Sequence, residues 1–138
     1  MSRVRIINLP KIQDLRGNLS FIEGGAHVPF PIARAYWIYD VPGGEARGGH
    51  AYRTLHEFIV AVAGSLDVVL DDGCEVRRYT LNRSYYGLYV PPLVWRSMEN
   101  FSTNALVLNL ASGPYDAEDY VRDPAEFGAL IARAGGDA

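Results

Sequence analysis

Two ionisable residues at a fixed spacing, His50 and Glu57, give this chain its clearest capacity for chemistry. Glycines bound the segment at positions 44 and 64, and Tyr52 follows the histidine by two residues. Side chains alternate along a β-strand, so residues 50 and 52 share one face of a strand. An imidazole and a carboxylate that meet in one cavity can hold a metal ion or transfer protons.

The spacing of this segment resembles the first sequence motif of the cupin proteins. That motif reads G-x5-H-x-H-x3-4-E-x6-G, and Gly44, His50, Glu57 and Gly64 match it. Tyr52 stands where the motif has its second histidine. The segment therefore predicts a cupin-type cavity with an altered set of ligands.

A second segment, "GLYVPPLVWRSMEN" (87–100), resembles the other cupin motif. Pro91 and Asn100 occupy their expected places, whereas Leu93 stands at a glycine position and Arg96 at the position of a histidine ligand. A neutral phenol is a poor metal ligand, and arginine remains cationic. Because a fixed positive charge repels a divalent cation, we expect a site that works without a metal or another cofactor.

Short β-prone segments with turn signals between them indicate an all-β fold. Asp72-Gly73 is a typical hairpin turn, and the chain lacks the strand–helix alternation of a Rossmann fold. We predict a single cupin domain over residues 1–138, a small β-barrel or jelly roll with a short C-terminal helix. The predicted strands cover residues 4–9, 19–24, 33–41, 56–64, 65–73, 75–81, 85–90, 95–100 and 105–111, with a polar turn at 13–18.

The C-terminal segment predicts the one helix. Asp123 is suited to cap it, Pro124 to occupy its first position and Glu126 to complete a capping box. Phe127 begins an apolar stripe with helical spacing. We expect this helix to pack on the exterior of the barrel.

Composition limits the partners and the compartment. A net charge of −3 argues against binding to nucleic acid or to an anionic membrane surface. The chain has no apolar run long enough to span a membrane and no signal-peptide pattern at its N-terminus. The single cysteine, Cys74, excludes an internal disulfide and fits a reducing compartment. We expect a cytoplasmic protein.

Several segments together resemble the TDP-4-oxo-6-deoxyglucose 3,4-ketoisomerases. The resemblance covers residues 14–127 and includes "RGNLSFIEG", "GSLDVVLDDG" and "LNRSYYGLYVPPLVWRSMENFS". The family signature R-G-x-H-A-H falls on Arg47, Gly48 and His50, with Tyr52 in place of the second histidine. The resemblance implies a metal-independent cupin enzyme, a TDP-sugar substrate and a homodimer.

The chemistry of such an enzyme assigns roles to the residues of the first motif. A ketone at C4 of the sugar acidifies the hydrogen at C3, so a base can remove that proton to give an enediolate. Returning a proton at C4 leaves the ketone at C3, which is an intramolecular oxidoreduction. His50 suits both steps near neutral pH. Tyr52 can donate a hydrogen bond to the enediolate or pass a proton between O3 and O4, and Arg96 can stabilise the oxyanion or orient the sugar.

The diphosphate of a nucleotide sugar calls for arginines, which bind phosphate groups through two parallel hydrogen bonds. Arg34 and Tyr36 share one strand face, so both are candidates to line the pocket. Arg16 and Arg47 lie in segments that match the family and are the further candidates for substrate binding.

Three other functions remain open at this point. The replacement of the second histidine by Tyr52 is compatible with a cupin that binds a TDP-sugar without turning it over. A related nucleotide-sugar epimerase is less favoured, because no aspartate is paired with His50 by spacing. A metal-dependent cupin oxygenase requires the ligands that Tyr52 and Arg96 replace. The nucleotide and the configuration of the product at C4 also stay open.

Overall fold

The computed structural model describes residues 1–136, which form twelve strands, one short 3-10 helix and one α-helix. The α-helix, α1, covers Pro124–Gly136, and the 3-10 helix covers Ala117–Asp119. The strands are β1 (Arg5–Asn8), β2 (Lys11–Asp14), β3 (Gly17–Ser20), β4 (Arg34–Ile38), β5 (Arg47–Tyr52), β6 (Glu57–Ala63), β7 (Leu66–Asp71), β8 (Val76–Leu81), β9 (Tyr86–Val90), β10 (Trp95–Glu99), β11 (Leu106–Ala111) and β12 (Tyr120–Val121).

Two five-stranded antiparallel sheets face each other. The first has the order β1–β9–β6–β11–β4 and the second the order β12–β5–β10–β7–β8, while β2 and β3 form a separate hairpin. This architecture confirms the predicted all-β jelly roll of the cupin type. The barrel form is not observed, because the strand pairing in residues 1–136 leaves both sheets open at their edges.

Alternation along the central strand β6 builds two apolar layers. Ile59 and Ala61 face the second sheet and pack in the main core with Val68, Leu88 and other residues of both sheets. Phe58 and Val60 point the other way, into a second cluster beneath residues 28–30. Because β6 is buried on both faces at its start, its sequence is a continuous apolar run rather than an alternating one.

Eight of the nine predicted strands agree with the structure within three residues at each end, and the predicted ranges lack β2, β5 and β12. The predicted turn at 13–18 lies within the β2–β3 hairpin, and the strand predicted at 19–24 is observed at Gly17–Ser20. Strand β5 has three polar or glycine residues at its start, so its β-propensity is low. It forms because it is paired on both sides, by β10 and β12.

The predicted C-terminal helix is confirmed. The carboxylate of Asp123 accepts a hydrogen bond from the amide of Ala125, and Phe127 is buried against Ala51 of β5. The predicted capping box is not formed, because the carboxylate of Glu126 pairs with Arg53 instead. The helix thus packs on the outside of the second sheet and supports β5 from behind.

None of the helices in residues 1–136 combines the length and the apolar character needed to cross a membrane.

Candidate active site

A cavity of about 450 Å³ opens between the two sheets at the end formed by β4, β5 and β12. Both sheets contribute to its walls, and most of its polar groups come from the motifs identified in the sequence. Its lining residues are Tyr36, Trp37, Ile38, Tyr39, Arg47, Gly48, His50, Tyr52, Glu57, Arg96, Met98, Tyr120 and Arg122.

The pairing of β5 with β10 places the central residues of this cavity. His50 lies directly opposite Arg96, and the register shifts by one residue immediately beyond, so that Ser97 pairs with Gly48. Gly49 is the extra residue of this bulge and has φ +65°, a conformation that favours glycine. Residues directly opposite each other in paired strands share a face of the sheet. The imidazole of His50 and the guanidinium of Arg96 therefore both point into the cavity, and the bulge begins at the next residue.

His50 has the environment of a neutral general base. Both of its ring nitrogens are buried and have no hydrogen-bond partner in the described structure. Burial, followed by the positive charge of Arg96, lowers the pKa of His50 below its ordinary value of 6.5. The ring packs edge-on against Tyr52, with centroids 4.8 Å apart, and against Tyr120 at 5.0 Å. An imidazole held in this way is unprotonated near neutral pH and free to accept a proton.

Tyr52 is held as a neutral phenol beside this base. Its side chain is buried, and its hydroxyl donates to the hydroxyl of Tyr120 at 3.2 Å. Burial, followed by the negative charge of Glu57, raises the pKa of Tyr52 above its ordinary value. The guanidinium carbon of Arg96 lies 4.9 Å from the centroid of its ring. Tyr52 is therefore a donor of hydrogen bonds rather than a second base.

A buried ion pair closes the floor of the cavity. Glu57 and Arg96 are both fully buried, and Arg96 Nη1 donates to Glu57 Oε1 at 3.0 Å. The hydroxyl of Tyr36 donates to the other carboxylate oxygen at 2.5 Å. Burial and the charge of Glu57 raise the pKa of Tyr36, so this phenol also keeps its proton. In the sequence, Glu57 stands at a ligand position of the cupin motif, but its pairing with Arg96 and Tyr36 was not predicted.

Three of the five predicted substrate-binding residues line the cavity, one lies beside it and one lies outside it. Tyr36, Arg47 and Arg96 line it. Arg34 lies one step further along the inner face of β4, with its guanidinium stacked on the ring of Tyr36 at 5.2 Å. Arg16 does not lie in the cavity: it is at the tip of the β2–β3 hairpin, 90% exposed, and paired with Asp14. Its role in substrate binding stays a prediction.

Two residues that the sequence analysis did not name, Tyr120 and Arg122, complete the wall near His50. Tyr120 lies opposite Tyr52 in the β12–β5 pair, and the guanidinium of Arg122 stacks on the ring of Tyr120 at 4.3 Å. Strand β12 is only two residues long, so no periodic pattern marks it in the sequence. Tyr120 and Arg122 are a tyrosine and an arginine two residues apart, as are Arg34 and Tyr36. This shared spacing is the sequence feature from which they could have been predicted to line the cavity.

The comparisons with known proteins agree with this geometry. A family model described as FdtA, WxcM-like, C-terminal matches residues 2–132. The TDP-4-oxo-6-deoxy-alpha-D-glucose-3,4-oxoisomerase of Aneurinibacillus thermoaerophilus is 43% identical over 129 residues, which cover 94% of this chain and 93% of that protein. The chain belongs to the FdtA family. Its predicted resemblance to the sugar 3,4-ketoisomerases is confirmed.

Solved structures of such enzymes share the fold. A 3,4-ketoisomerase from Helicobacter canadensis superposes with a TM-score of 0.91 at 37% identity, over 94% of this chain and 98% of that one. The 3,4-ketoisomerase QdtA from Thermoanaerobacterium thermosaccharolyticum superposes with a TM-score of 0.94 at 34% identity, over 96% of each chain. The QdtA structure is that of a histidine-to-asparagine variant in complex with TDP-4-keto-6-deoxyglucose. The FdtA-family fold thus extends over nearly the whole of this chain.

Proposed function

We propose that this chain catalyses the 3,4-ketoisomerisation of a TDP-4-oxo-6-deoxyhexose, with His50 as the base. The observation that carries this proposal is an imidazole at the wall of a cavity of about 450 Å³, with both ring nitrogens lacking a hydrogen-bond partner in the described structure. The family supports it, because relatives named as 3,4-oxoisomerases and 3,4-ketoisomerases match more than nine-tenths of the chain.

His50 performs both carbon proton transfers in this proposal. It takes the proton from C3, the electron pair moves into the C3–C4 bond, and O4 becomes the oxygen of an enediolate. The imidazolium then returns a proton to C4 as the C3 hydroxyl becomes the ketone, and the proton of that hydroxyl passes to O4 to complete the exchange. Because C3 and C4 are adjacent, one imidazole can reach both carbons from the same side of the ring.

The phenols handle the oxygen atoms. Tyr52 keeps its proton, and turning that proton from the hydroxyl of Tyr120 to the sugar would give a hydrogen bond to the oxygen on which negative charge develops. The hydroxyl of Tyr120, which accepts from Tyr52, offers its own proton to the same region of the cavity. Arg47 and Arg122 lie on the cavity wall as cations for the diphosphate, and Arg34 stacks on the ring of Tyr36, another residue of the wall.

We infer that the reaction needs no metal, from the chemistry of the groups present. The carboxylate of Glu57 is occupied by Arg96 and Tyr36, and its cationic partner is a guanidinium that stays charged. A divalent ion near His50 would lie beside this fixed positive charge. The donors of the cavity fit an anionic sugar intermediate better than a metal.

We also infer that the active form is a homodimer. An apolar depression of about 440 Å³ lies on the outer face of the first sheet, opposite the site, and Val60, Leu108 and Leu110 form its floor. Val62 beside them is 43% exposed, which is unusual for the centre of a sheet. Sedimentation analysis tests this inference: a Val62→Glu variant is expected to be monomeric. We also infer a cytoplasmic location, because the one cysteine of the chain, Cys74, is an exposed free thiol, which fits a reducing compartment.

The deciding experiment follows the sugar ring by NMR after pure protein is mixed with TDP-4-oxo-6-deoxyglucose. We expect a TDP-3-oxo-6-deoxyhexose with wild-type protein and none with His50→Asn. Elemental analysis of the active protein tests the inference that it is free of metal. The configuration at C4 is read from the same spectra.

The second candidate function is binding of a TDP-sugar without turnover. Tyr52 favours it, because a phenol with a raised pKa cannot act as the second base that the family signature supplies. It predicts that calorimetry detects the nucleotide sugar whereas the NMR spectra of the sugar stay unchanged. Isomerised product from wild-type protein contradicts it.

A further inference from the structure

Glu57 is a fully buried carboxylate whose two oxygens each accept from a different donor. Oε1 accepts from Arg96 Nη1 at 3.0 Å, and Oε2 accepts from the Tyr36 hydroxyl at 2.5 Å. Both donors line the cavity, as does Glu57 itself. An ionised carboxylate is the side chain that offers two acceptors and no donor, so it suits both partners at once.

The contact with Glu57 fixes the direction of the Tyr36 hydroxyl. A phenol has one proton, and here that proton points at the carboxylate. The lone pairs of the Tyr36 oxygen are left for other partners, so toward the cavity this residue is an acceptor. In a 3,4-ketoisomerisation the proton of the C3 hydroxyl passes to O4, and a hydrogen-bond acceptor on the cavity wall orients that hydroxyl for the transfer.

The same carboxylate holds the guanidinium of Arg96 in one orientation. Nη2 of Arg96 donates to the carbonyl of Val94 at 3.0 Å, so two of its nitrogens are anchored on different groups. In this position the guanidinium lies under the ring of Tyr52 and opposite His50 across the strand pair. Glu57 therefore fixes the direction in which the Tyr36 hydroxyl donates and the position of the positive charge of Arg96.

We propose that Glu57 is a positioning residue for catalysis, which makes Tyr36 a hydrogen-bond acceptor toward a sugar hydroxyl and holds Arg96 beside His50. The inference rests on the proposed isomerase function and adds to it a role for a residue that does not touch the reacting carbons. Glu57 affects turnover by orienting Tyr36 and Arg96, not by contacting the substrate.

Replacement of Glu57 by glutamine tests this proposal because an amide has one acceptor and one donor. Arg96 needs an acceptor, so the amide oxygen is expected to face it and the amide nitrogen to face Tyr36. That nitrogen donates to the Tyr36 oxygen and turns the phenol proton into the cavity. Tyr36 then becomes a donor where an acceptor is required, while the size of the side chain is unchanged.

We expect Glu57→Gln to lower kcat by about 10²-fold and to change KM by less than about threefold, as for loss of a group that acts in the transition state. Glu57→Asp keeps the charge and both acceptors, and we expect it to recover part of the rate. The matched control is Asp67→Asn, which also removes a carboxylate paired with an arginine, Arg78, but on β7 away from the cavity. Its kcat is expected to stay within twofold of the wild-type value.

The titration of His50 gives a readout that needs no turnover. The negative charge of Glu57 favours the protonated imidazole, so the glutamine variant is expected to show a lower His50 pKa when the ring is followed by NMR. The acid limb of the kcat/KM profile should move to lower pH by the same amount. The titratable and charged groups that line the cavity with His50 are Tyr36, Tyr39, Arg47, Tyr52, Glu57, Arg96, Tyr120 and Arg122.

The Tyr36→Phe variant keeps the proposal testable if Glu57→Gln does not fold. It retains the Glu57–Arg96 pair, so we expect a lowered kcat with an unchanged His50 titration. If both fold, the double variant is expected to lose no more than about twofold beyond Glu57→Gln alone. Additive losses, or a glutamine variant with wild-type kcat and wild-type His50 titration, overturn the role of Glu57. An inactive wild-type protein instead overturns the isomerase function, and the NMR titration still reports separately on the placement of charge.

Discussion

Arg96 lies directly opposite His50 on the neighbouring strand, and both side chains face the cavity. A permanent cation thus lies beside the residue that we propose as the base. Its charge disfavours the imidazolium, so the base is unprotonated over a wider range of pH. In the cupin motif a metal ligand occupies the position of Arg96, whereas here the residue at that position lowers the pKa of His50.

The first prediction concerns the pH dependence of activity. Burial and Arg96 lower the pKa of His50, so the acid limb of kcat/KM is expected below the ordinary value of 6.5. In an Arg96→Gln variant the cation is lost and Glu57 is left uncompensated, and both changes favour the imidazolium. The acid limb should therefore move to higher pH, which initial rates between pH 5 and about 9 will reveal. An unmoved limb would show that another group governs it.

The second prediction concerns stability. Since the folded state lowers the pKa of His50, the unfolded chain binds more protons once the pH falls to the ordinary value of 6.5. The free energy of unfolding should be fully retained above that pH and decrease as the pH falls below it. Urea denaturation between pH about 5.5 and 8 measures this slope.

The His50→Asn variant is the control for that slope. We expect a shallower decrease, but not a flat one, because burial also lowers the pKa of His56. The double variant with His56→Asn should be nearly independent of pH between about 5.5 and 7, because the N-terminal amine, whose pKa is raised from 8.0, affects stability only at higher pH. A wild-type slope in His50→Asn contradicts the assignment.

The third prediction concerns Tyr52. Its hydroxyl donates to Tyr120, and its side chain lines the cavity. Tyr52→Phe removes this donor without changing the ring that packs on His50, so we expect turnover to fall by about 10²-fold with little change in TDP affinity. Tyr52→His restores the family signature, and the product configuration of this variant, read by NMR, shows whether the phenol affects the face of protonation. Wild-type turnover in Tyr52→Phe contradicts a role for the hydroxyl.

The fourth prediction concerns Arg16. In the described structure it lies on an exposed hairpin and is paired with Asp14. If it binds the diphosphate, Arg16→Ala weakens TDP binding by about tenfold in calorimetry, whereas Asp14→Asn leaves the affinity unchanged or improves it. Equal affinities for wild type and Arg16→Ala would remove this residue from the predicted site.

The sequence predicted the site best where strand alternation decides the geometry. His50 and Tyr52 are two residues apart and therefore share a face, and the structure has both in one cavity. The Glu57–Arg96 pair joins residues 39 positions apart, and its existence depends on how the two sheets pack. Sequence spacing placed both residues at motif positions, but it gave no information on the contact between them.

Backbone conformation was the other feature beyond the reach of residue types. Leu93 replaces a glycine of the cupin motif, yet its φ of +61° is the one that a glycine adopts readily. A hydrogen bond from its amide to the carbonyl of Tyr52, 2.8 Å long, accompanies this conformation. The backbone conformation of the motif is thus kept at residue 93, although the residue type that usually adopts it is not.

The fifth prediction concerns Gly48, at which β5 approaches β10 most closely. A Cβ atom at this position would lie 3.1 Å from the Cα of Ser97 and 3.2 Å from the carbonyl oxygen of Arg96. Both are backbone atoms, so neither can turn aside as a flexible side chain does. We expect Gly48→Ala to separate the strands, to move His50 away from Arg96, and to lower activity together with the free energy of unfolding.

Gly49 supplies the matched control for this substitution. It is the next residue of the same strand and also has positive φ, but a Cβ there would meet nothing within 4 Å. Gly49→Ala thus carries the conformational cost alone, about 1–2 kcal/mol, whereas Gly48→Ala adds an overpacking cost of about 1–3 kcal/mol. Urea denaturation of the two variants measures the difference. Equal losses would mean that β10 yields to the methyl group, and that the position of His50 does not depend on this close approach.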